Sequence, residues 1–304
     1  MSKVYDQTVI LLLTICLGYL LRKMEILTRE DAGTISKIMM YVTLPCVVVK
    51  NLNGVILNID ILTAVLVGIA VNAFFFLLSI LTSKKSDPDD RVVKIFSFSS
   101  FNIGSYAIPV LSTFVSSSAM AGVLAFNYPG TALFTYGVAP TAANMVYKNE
   151  QRSSLLLLRN NLLHNVPTVT CLIMLLMSCL HIALPAGAAD IFIEISKANS
   201  TLAMLSIGIL LDLRLPRSEF GKDMAIILIR LAAAVISALG IYCALHIPHE
   251  LRSALVLVVF APIASCNPVL ALYSGYKGSR VAVINSIYLL VSIVCITVLS
   301  LALY

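Results

Sequence analysis

Charged residues are scarce in this sequence. Asp, Glu, Lys and Arg make up 12% of its 304 residues, about half the share of roughly 25% that is typical of soluble domains. Hydrophobic residues make up 59%, and the mean hydropathy is +0.96. A soluble protein could not cover its surface with so few charges. The composition therefore excludes soluble classes and predicts an all-α integral membrane protein, whose surroundings are the lipid bilayer.

Catalytic and metal-binding motifs are also missing. The sequence has no HExxH, Walker or GxSxG motif and no CxxC pair, so we expect no enzymatic activity, no cofactor and no metal site. His246 and His249 have helical spacing, but no third ligand lies near them in the sequence. The seven cysteines lie in or beside apolar stretches and are interpreted as small apolar side chains. The basic residues form short clusters rather than one basic face, which argues against a nucleic-acid partner.

The apolar runs predict ten membrane helices, since each crossing needs about 20 apolar residues. Thr28 and Asp31 form a capping-box pattern before the second run, and Asp87-Pro88-x-Asp90 is typical of a helix start before the fourth. The first run is interpreted as a retained span rather than a signal peptide, because Arg22 and Lys23 follow it. The predicted spans are residues 5–22, 31–50, 61–83, 92–115, 119–147, 155–181, 190–211, 223–246, 251–275 and 279–303.

Basic residues alternate between the loops. The loops after odd-numbered spans hold 15 Lys and Arg residues, the opposite side holds 3, and Lys37, Lys197 and Arg230 lie within spans. By the positive-inside rule this places the odd loops in the cytoplasm and both termini outside a plasma or bacterial inner membrane. Ten spans divide into two sets of five, residues 1–148 and 149–304, and an odd number per set requires the second set to be inverted.

Two spans at matching places in these halves have interrupted centres. The fourth contains the run 102–109 (Asn-Ile-Gly-Ser-Tyr-Ala-Ile-Pro), and the ninth contains 262–268 (Pro-Ile-Ala-Ser-Cys-Asn-Pro). Proline removes a backbone donor and clashes with the preceding turn, so Pro109, Pro262 and Pro268 are expected to break or kink their spans. Such breaks must line a cavity or pack inside the protein. Helix starts exposed there, with neutral polar side chains, predict an anion site without a dedicated arginine. The candidate residues are Asn102, Gly104, Ser105, Tyr106, Pro109, Pro262, Ser265, Asn267 and Pro268.

These segments resemble a known family. Phe101-Asn-Ile-Gly-Ser-Tyr-Ala-Ile-Pro109 is similar to the fourth-span Asn-x-Gly-x-x-x-x-Pro signature of the auxin efflux carrier family of secondary transporters, which includes bacterial permeases. Ala261-Pro262 and the later Ala271-Leu-Tyr273-Ser-Gly275-Tyr276 resemble the ninth-span segment of that family.

The resemblance implies an inverted-repeat fold related to the bile-acid symporters. Spans 1, 2, 6 and 7 would form a scaffold, spans 3–5 and 8–10 a moving transport domain, and the substrate site would lie where spans 4 and 9 cross. It also implies an elevator-like motion, a homodimer, and further substrate contacts at Asn127, Thr43 and Pro45. Two departures stand out. Residues 62–82 hold neither the acid nor the lysine associated with proton coupling in plant members, and Lys277 replaces an acid of many bacterial relatives.

The few ionisable residues within spans are candidates for function. Lys37 lies close enough to a span end to reach the interface. Asp190, Glu194 and Lys197 share one helical face, which is either an amphipathic turn with a Glu194–Lys197 pair or a site where Glu194 couples protons and Lys197 faces the anion. Arg230 lies deep in span eight, and the sequence assigns it no role.

The sequence as a whole predicts a secondary active transporter for a small organic anion, such as a carboxylate, working by alternating access. The coupling ion, H⁺ or Na⁺, stays open, as do substrate identity and direction. Two alternatives remain. One is a channel or non-transporting receptor on the same scaffold. The other is an intramembrane enzyme, which would need Cys266 beside a histidine or an acid.

Overall fold

The computed structural model describes residues 2–113, 115–148, 166–211 and 219–304. The helices are α1 (Ser2–Lys23), α2 (Arg29–Ile38), α3 (Leu44–Leu52), α4 (Ile59–Ser83), α5 (Pro88–Phe98), α6 (Ile108–Leu111), α7 (Ser117–Phe126), α8 (Ala139–Lys148), α9 (Val166–Cys179), α10 (Ala186–Ser196), α11 (Ala198–Leu210), α12 (Phe220–Ala244), α13 (His249–Val258), α14 (Asn267–Tyr273) and α15 (Arg280–Leu303). Wider π-helical turns join or precede several of them: Met39–Thr43, Ile103–Ala107, Asn127–Thr131 and Phe134–Val138.

The predicted helix starts before the second and fourth spans are confirmed. Thr28 caps α2 in a complete capping box, in which its side chain accepts from Asp31 N and the Asp31 carboxylate accepts from Thr28 N. Asp87 caps α5 by accepting from Asp90 N at 2.8 Å, and Pro88 occupies the first turn. Both starts are encoded locally, because the capping side chain lies within three residues of the amide it satisfies.

Four helical stretches in the described ranges are long and apolar enough to cross a membrane: Glu30–Leu52, Ile59–Ser83, Phe220–Ala244 and Arg280–Leu303. Two shorter apolar helices are Ser117–Phe126 and Val166–Cys179. The predicted spans 4, 7 and 9 are each divided into two shorter helices, α5 and α6, α10 and α11, and α13 and α14. The predicted boundary between the halves at 148/149 and the start of span six at 155–165 border on or fall outside the described residues.

The helices pack as two groups. The first helix group, α1–α3 with α9–α11, is joined by packing of α1 and α2 on α11 and of α3 on α9 and α10. The second helix group, α4–α8 with α12–α15, is joined by packing of α4 on α5 and α7, of α7 on α13, and of α5 on α14 and α15. The groups meet where α6 packs on α11 and where α7 packs on α3.

Pairs of glycines bring helices into backbone contact in both groups. A Cβ added at Gly18 would lie 2.3 Å from the Leu205 carbonyl oxygen, and one added at Gly208 would lie 2.1 Å from that of Ile15. In the second helix group, a Cβ at Gly68 would meet the Phe126 carbonyl oxygen at 2.3 Å, and one at Gly130 would meet the Gly68 carbonyl oxygen at 2.7 Å. Lipid gives apolar helices little hydrophobic reason to associate, so close backbone packing at small residues is a main source of their attraction.

Candidate functional site

The two interrupted segments touch each other. Helix α5 ends at Phe98, residues 99–102 are not helical, and the chain becomes helical again at Ile103. In the other segment α13 ends at Val258 and α14 begins at Asn267. Asn102 N donates a hydrogen bond to the Pro262 carbonyl oxygen at 2.7 Å. The structure thus brings together the two motifs that the sequence singled out, although they lie 160 residues apart.

The prolines do not all act as expected. Pro262 lies in the non-helical stretch, and Pro268 lies in the first turn of α14. Pro109, however, is the second residue of α6, which directly follows the π-helical turn Ile103–Ala107, so the chain stays helical there. The wider turn accommodates the ring, which would clash with the carbonyl four residues earlier in a regular α-helix. The interruption of the fourth segment falls instead at residues 99–102.

A cavity of about 90 Å³ opens beside the crossing. It lies between the two helix groups, with one wall from the first group and the remainder from the second. The first group contributes Met40, Leu44, Pro167 and Thr168. The second contributes Phe101, Asn102, Ile103, Gly104, Ser105, Asn127, Tyr128, Thr131, Ala132, Thr135, Tyr136, Ala264, Ser265 and Cys266.

Five of the predicted site residues line this cavity: Asn102, Gly104, Ser105, Asn127 and Ser265. The others lie nearby or elsewhere in the packed protein: Tyr106, Pro109, Thr43, Pro45, Pro262, Asn267 and Pro268. Thr43 is turned toward α11, where its hydroxyl donates to Asn199 Oδ1 at 2.8 Å. The Glu194–Lys197 pair does not line the cavity; it forms an ion pair with both side chains more than half exposed.

Sequence reasoning missed the hydroxyl residues of the chain between α7 and α8. Thr131, Thr135 and Tyr136 line the cavity together with Asn127. Asn127, Thr131 and Thr135 are spaced at i, i+4 and i+8, which places them on one helical face. This polar stripe in an otherwise apolar helix was the signal that could have found them. Nothing local marks Met40 or Leu44, whose position depends on how the groups pack.

The cavity offers neutral polar groups. Asn102 Oδ1 accepts from Ser105 N at 3.2 Å and so caps the helical stretch Ile103–Leu111, whose start carries a partial positive charge. Because the side-chain oxygen of Asn102 is used in this bond, the side-chain NH₂ group is the part of the amide that can donate to a ligand. None of the described residues that line the cavity is charged.

The Cys266 thiol points to a hydroxyl rather than to a base. Its hydrogen bond is to Tyr136 Oη at 3.9 Å, and the described lining residues include neither a histidine nor an acid. Over the same described ranges, no three His, Cys, Asp or Glu side chains come together as a metal site. The arrangement that would have supported an intramembrane enzyme is therefore not found among these residues.

The family model for membrane transport proteins matches residues 3–300 of the chain. The chain belongs to this family, the auxin efflux carrier family. The resemblance inferred from the two interrupted segments is thereby confirmed, and the protein is an integral membrane transport protein. A search of curated proteins found no match.

Behind the crossing of this transport protein lies Arg230 of α12, which is fully buried. Its guanidinium donates to the carbonyl oxygens of Ser97 at 2.8 Å, Phe98 at 3.1 Å and Ser100 at 2.7 Å, with a longer contact to Ala261 at 3.5 Å. Three aromatic rings surround the guanidinium at 5.0–5.2 Å: Phe75, Phe101 and Tyr288. Among the described residues Arg230 forms no salt bridge.

A second cation, the largely buried Arg280, lies at the other end of α5. The starts of α5, α12 and α15 meet there, and Arg280 bonds to Asp223 Oδ1 through Nε at 2.8 Å and also pairs with Asp90. Lys222 binds Asp90 at 2.9 Å and Glu219 at 3.1 Å. Burial alone would raise the pKa of Asp90, but the hydrogen bonds from Arg280 and Lys222 outweigh it and hold that pKa below its ordinary value.

Proposed function

We propose that this protein is a secondary active transporter that moves a small organic anion by alternating access. The observation that carries the proposal is the cavity at the contact between the two interrupted segments. It lies at the boundary between the two helix groups, so a movement of one group against the other would change its surroundings. This is the place where a carrier needs its binding site.

The chemistry of the lining supports an anionic substrate. The Asn102 and Asn127 amides and lining hydroxyls such as those of Ser105 and Thr131 supply hydrogen-bond donors, and the capped start of Ile103–Leu111 supplies a partial positive charge. A cavity of about 90 Å³ has room for roughly six to nine water-sized positions. That size suits a carboxylate of a few carbon atoms. With no charged side chain among the described lining residues, the anion would be held by dipoles rather than by an ion pair.

The separation into two helix groups supports different roles for the two groups during transport. We propose that the first helix group is the scaffold and that the second is the transport domain, which moves like an elevator and carries both interrupted segments. The ten predicted spans would form two inverted repeats, residues 1–148 and 149–304. The 15-to-3 distribution of basic residues supports termini outside the membrane. The family resemblance supports a homodimer that forms through the scaffold.

Uptake into proteoliposomes tests this function. The purified protein would be assayed with radiolabelled acids that carry one, two or three carboxylates, and we expect saturable uptake and counterflow of at least one of them. Unsaturable flux without counterflow would instead indicate a channel. If no anion moves at all, the proposal fails.

A matched pair of threonines tests the location of the site. The Thr135 hydroxyl donates to the carbonyl oxygen four residues earlier, and so does that of Thr63, but only Thr135 lines the cavity. We expect Thr135→Val and Asn102→Ala each to lower the uptake efficiency about tenfold, because each removes a group that can donate to the bound anion, the Thr135 hydroxyl by turning from the Thr131 carbonyl oxygen toward the substrate. Thr63→Val should transport like the parent protein. Equal uptake by all variants would contradict a site in this cavity.

A further inference from the structure

Arg230 lies where helices end. Ser97 and Phe98 are the last residues of α5, Ser100 follows in the non-helical stretch, and Ala261 follows the end of α13. The last carbonyl groups of a helix have no partner within it and carry a partial negative charge. One guanidinium therefore satisfies carbonyl oxygens of both interrupted segments.

Burying the charge of Arg230 costs free energy unless the surrounding groups compensate for the lost hydration. A buried charge loses its hydration, and within a membrane protein an ionisable residue marks a functional site by default. Arg230 is compensated by four carbonyl oxygens and three ring faces, and among the described residues by no carboxylate. The guanidinium therefore keeps its positive charge, and within the described ranges no acid neutralises it.

The local backbone depends on this compensation. Ser100 has a φ of +148°, a value that favours glycine. Its carbonyl oxygen accepts from Arg230 at 2.7 Å, and its hydroxyl accepts from Asn267 Nδ2 at 2.9 Å. Asn267 also donates to the Phe96 carbonyl oxygen at 2.6 Å. The strained turn of one interrupted segment is therefore held by a side chain from α12 and a side chain from the other segment.

In secondary transporters built from broken helices, unwound carbonyl groups and helix ends of this kind coordinate the coupling cation. We propose that Arg230 occupies that position permanently, as a resident cation, so that transport by this protein needs no Na⁺ at the crossing. The guanidinium supplies the positive charge that an ion would otherwise bring and take away. The part of this inference that concerns transport rests on the proposed function, whereas the part that concerns cation binding does not.

The resident cation can be removed and returned. Arg230→Ala deletes the atoms beyond Cβ, which correspond to ethylguanidinium. We expect this variant in detergent to melt roughly 10 °C below the parent protein. Millimolar ethylguanidinium should restore most of the loss with a saturable concentration dependence. Ethylammonium has the same charge but lacks the planar set of donors, so it should restore less.

Arg252→Ala is the matched control. Arg252 also lies over an aromatic ring, that of Tyr242 at 4.8 Å, but none of the described carbonyl groups is shown bonded to it. The melting temperature of Arg252→Ala should not rise when ethylguanidinium is added. If Arg230→Ala melts with the parent, or if both variants respond alike, the resident-cation inference is overturned. If Arg230→Ala does not fold, the inference is tested instead by the Na⁺ dependence of uptake by the parent and by Arg230→Lys.

Uptake is measured with external Na⁺ replaced by K⁺ or choline at constant ionic strength. We expect the parent, and Arg230→Lys at a lower rate, to take up substrate equally in all three salts. Loss of parent uptake without Na⁺ would overturn the inference while leaving the transporter function intact. Absence of uptake in every salt, combined with rescue of Arg230→Ala by ethylguanidinium, would reject the transporter function and keep the resident cation.

Discussion

An arginine lies at each end of helix α5, Arg230 fully buried and Arg280 largely so, and the two are held in opposite ways. Arg280 lies at its start, where α12 and α15 also begin, and it is paired with the carboxylates of Asp90 and Asp223. Arg230 lies at its end and is bound by carbonyl oxygens and aromatic rings. The same kind of side chain thus has acidic partners at one end and dipolar partners at the other.

The helix dipole explains this difference. Helix starts carry a partial positive charge, so a cation placed among three of them requires acids to offset the repulsion. Helix ends carry a partial negative charge, and there a cation is stabilised by the backbone itself. An acid beside Arg230 would cancel the positive charge near the crossing. The position of an arginine along a buried helix thus determines whether it acts as part of a neutral cluster or as a fixed charge.

The largest expected effect comes from removing an acid at the start of the helices. Asp223 is fully buried and bonds to Arg280, so Asp223→Ala should lower the free energy of unfolding by about 3 kcal/mol, because it leaves a largely buried arginine partly unpaired. Asp60 also lies in the first turn of its helix, α4, which is likewise 25 residues long. Asp60→Ala should cost less than about 1 kcal/mol. Thermal unfolding in detergent measures both, and equal losses would refute the role of the acid pair.

A smaller effect is expected from the rings around Arg230. The side chains of Phe75 and Phe96 are both fully buried. Of these two described rings, only that of Phe75 lies against the Arg230 guanidinium, at 5.2 Å. Phe75→Leu should therefore cost about 1–2 kcal/mol more than Phe96→Leu, the difference being the cation–π attraction. Melting temperatures of the two variants give this difference. If Phe96→Leu is the more damaging, the rings do not stabilise the charge.

The smallest effect is a dependence on pH that only the Arg280 end should show. The pKa of Asp90 lies below its ordinary value, so its pairing stabilises the fold above pH about 4 and is lost as the pH falls through the folded-state pKa. Asp90→Asn should therefore lose less stability on acidification than the parent. Asp60→Asn serves as the control and should follow the parent. An acid response that is the same in all three proteins would show that Asp90 does not contribute.

Much of the secondary structure could be predicted because its signals are local. The caps at Thr28 and Asp87 act on amides three residues away, and Pro262 lies in the non-helical stretch that it marks. The prediction was less accurate at Pro109, because a π-helical turn accommodates the ring and the interruption falls earlier. Whether such a ring breaks a helix or widens it depends on the packing around it.

The candidate site could be predicted only in part. Asn102, Ser105 and Ser265 are cavity residues marked by the interrupted runs themselves, and Asn127 was reached through family resemblance. Thr131 and Thr135 had a readable signal in their spacing. The wall formed by Met40, Leu44 and Thr168 had none, because ordinary residues become part of a cavity only when another helix group packs beside them.

The sequence by itself determined that this is a helical membrane protein, where several of its helices start, and which two runs are interrupted. These properties follow from composition and from interactions within a few residues. Only the tertiary structure decided what Arg230 does, because its partners Ser97 and Ser100 lie 133 and 130 residues away. An arginine in an apolar run indicates that burying its charge costs free energy. The carbonyl groups and rings that compensate for this cost are brought together only by the fold.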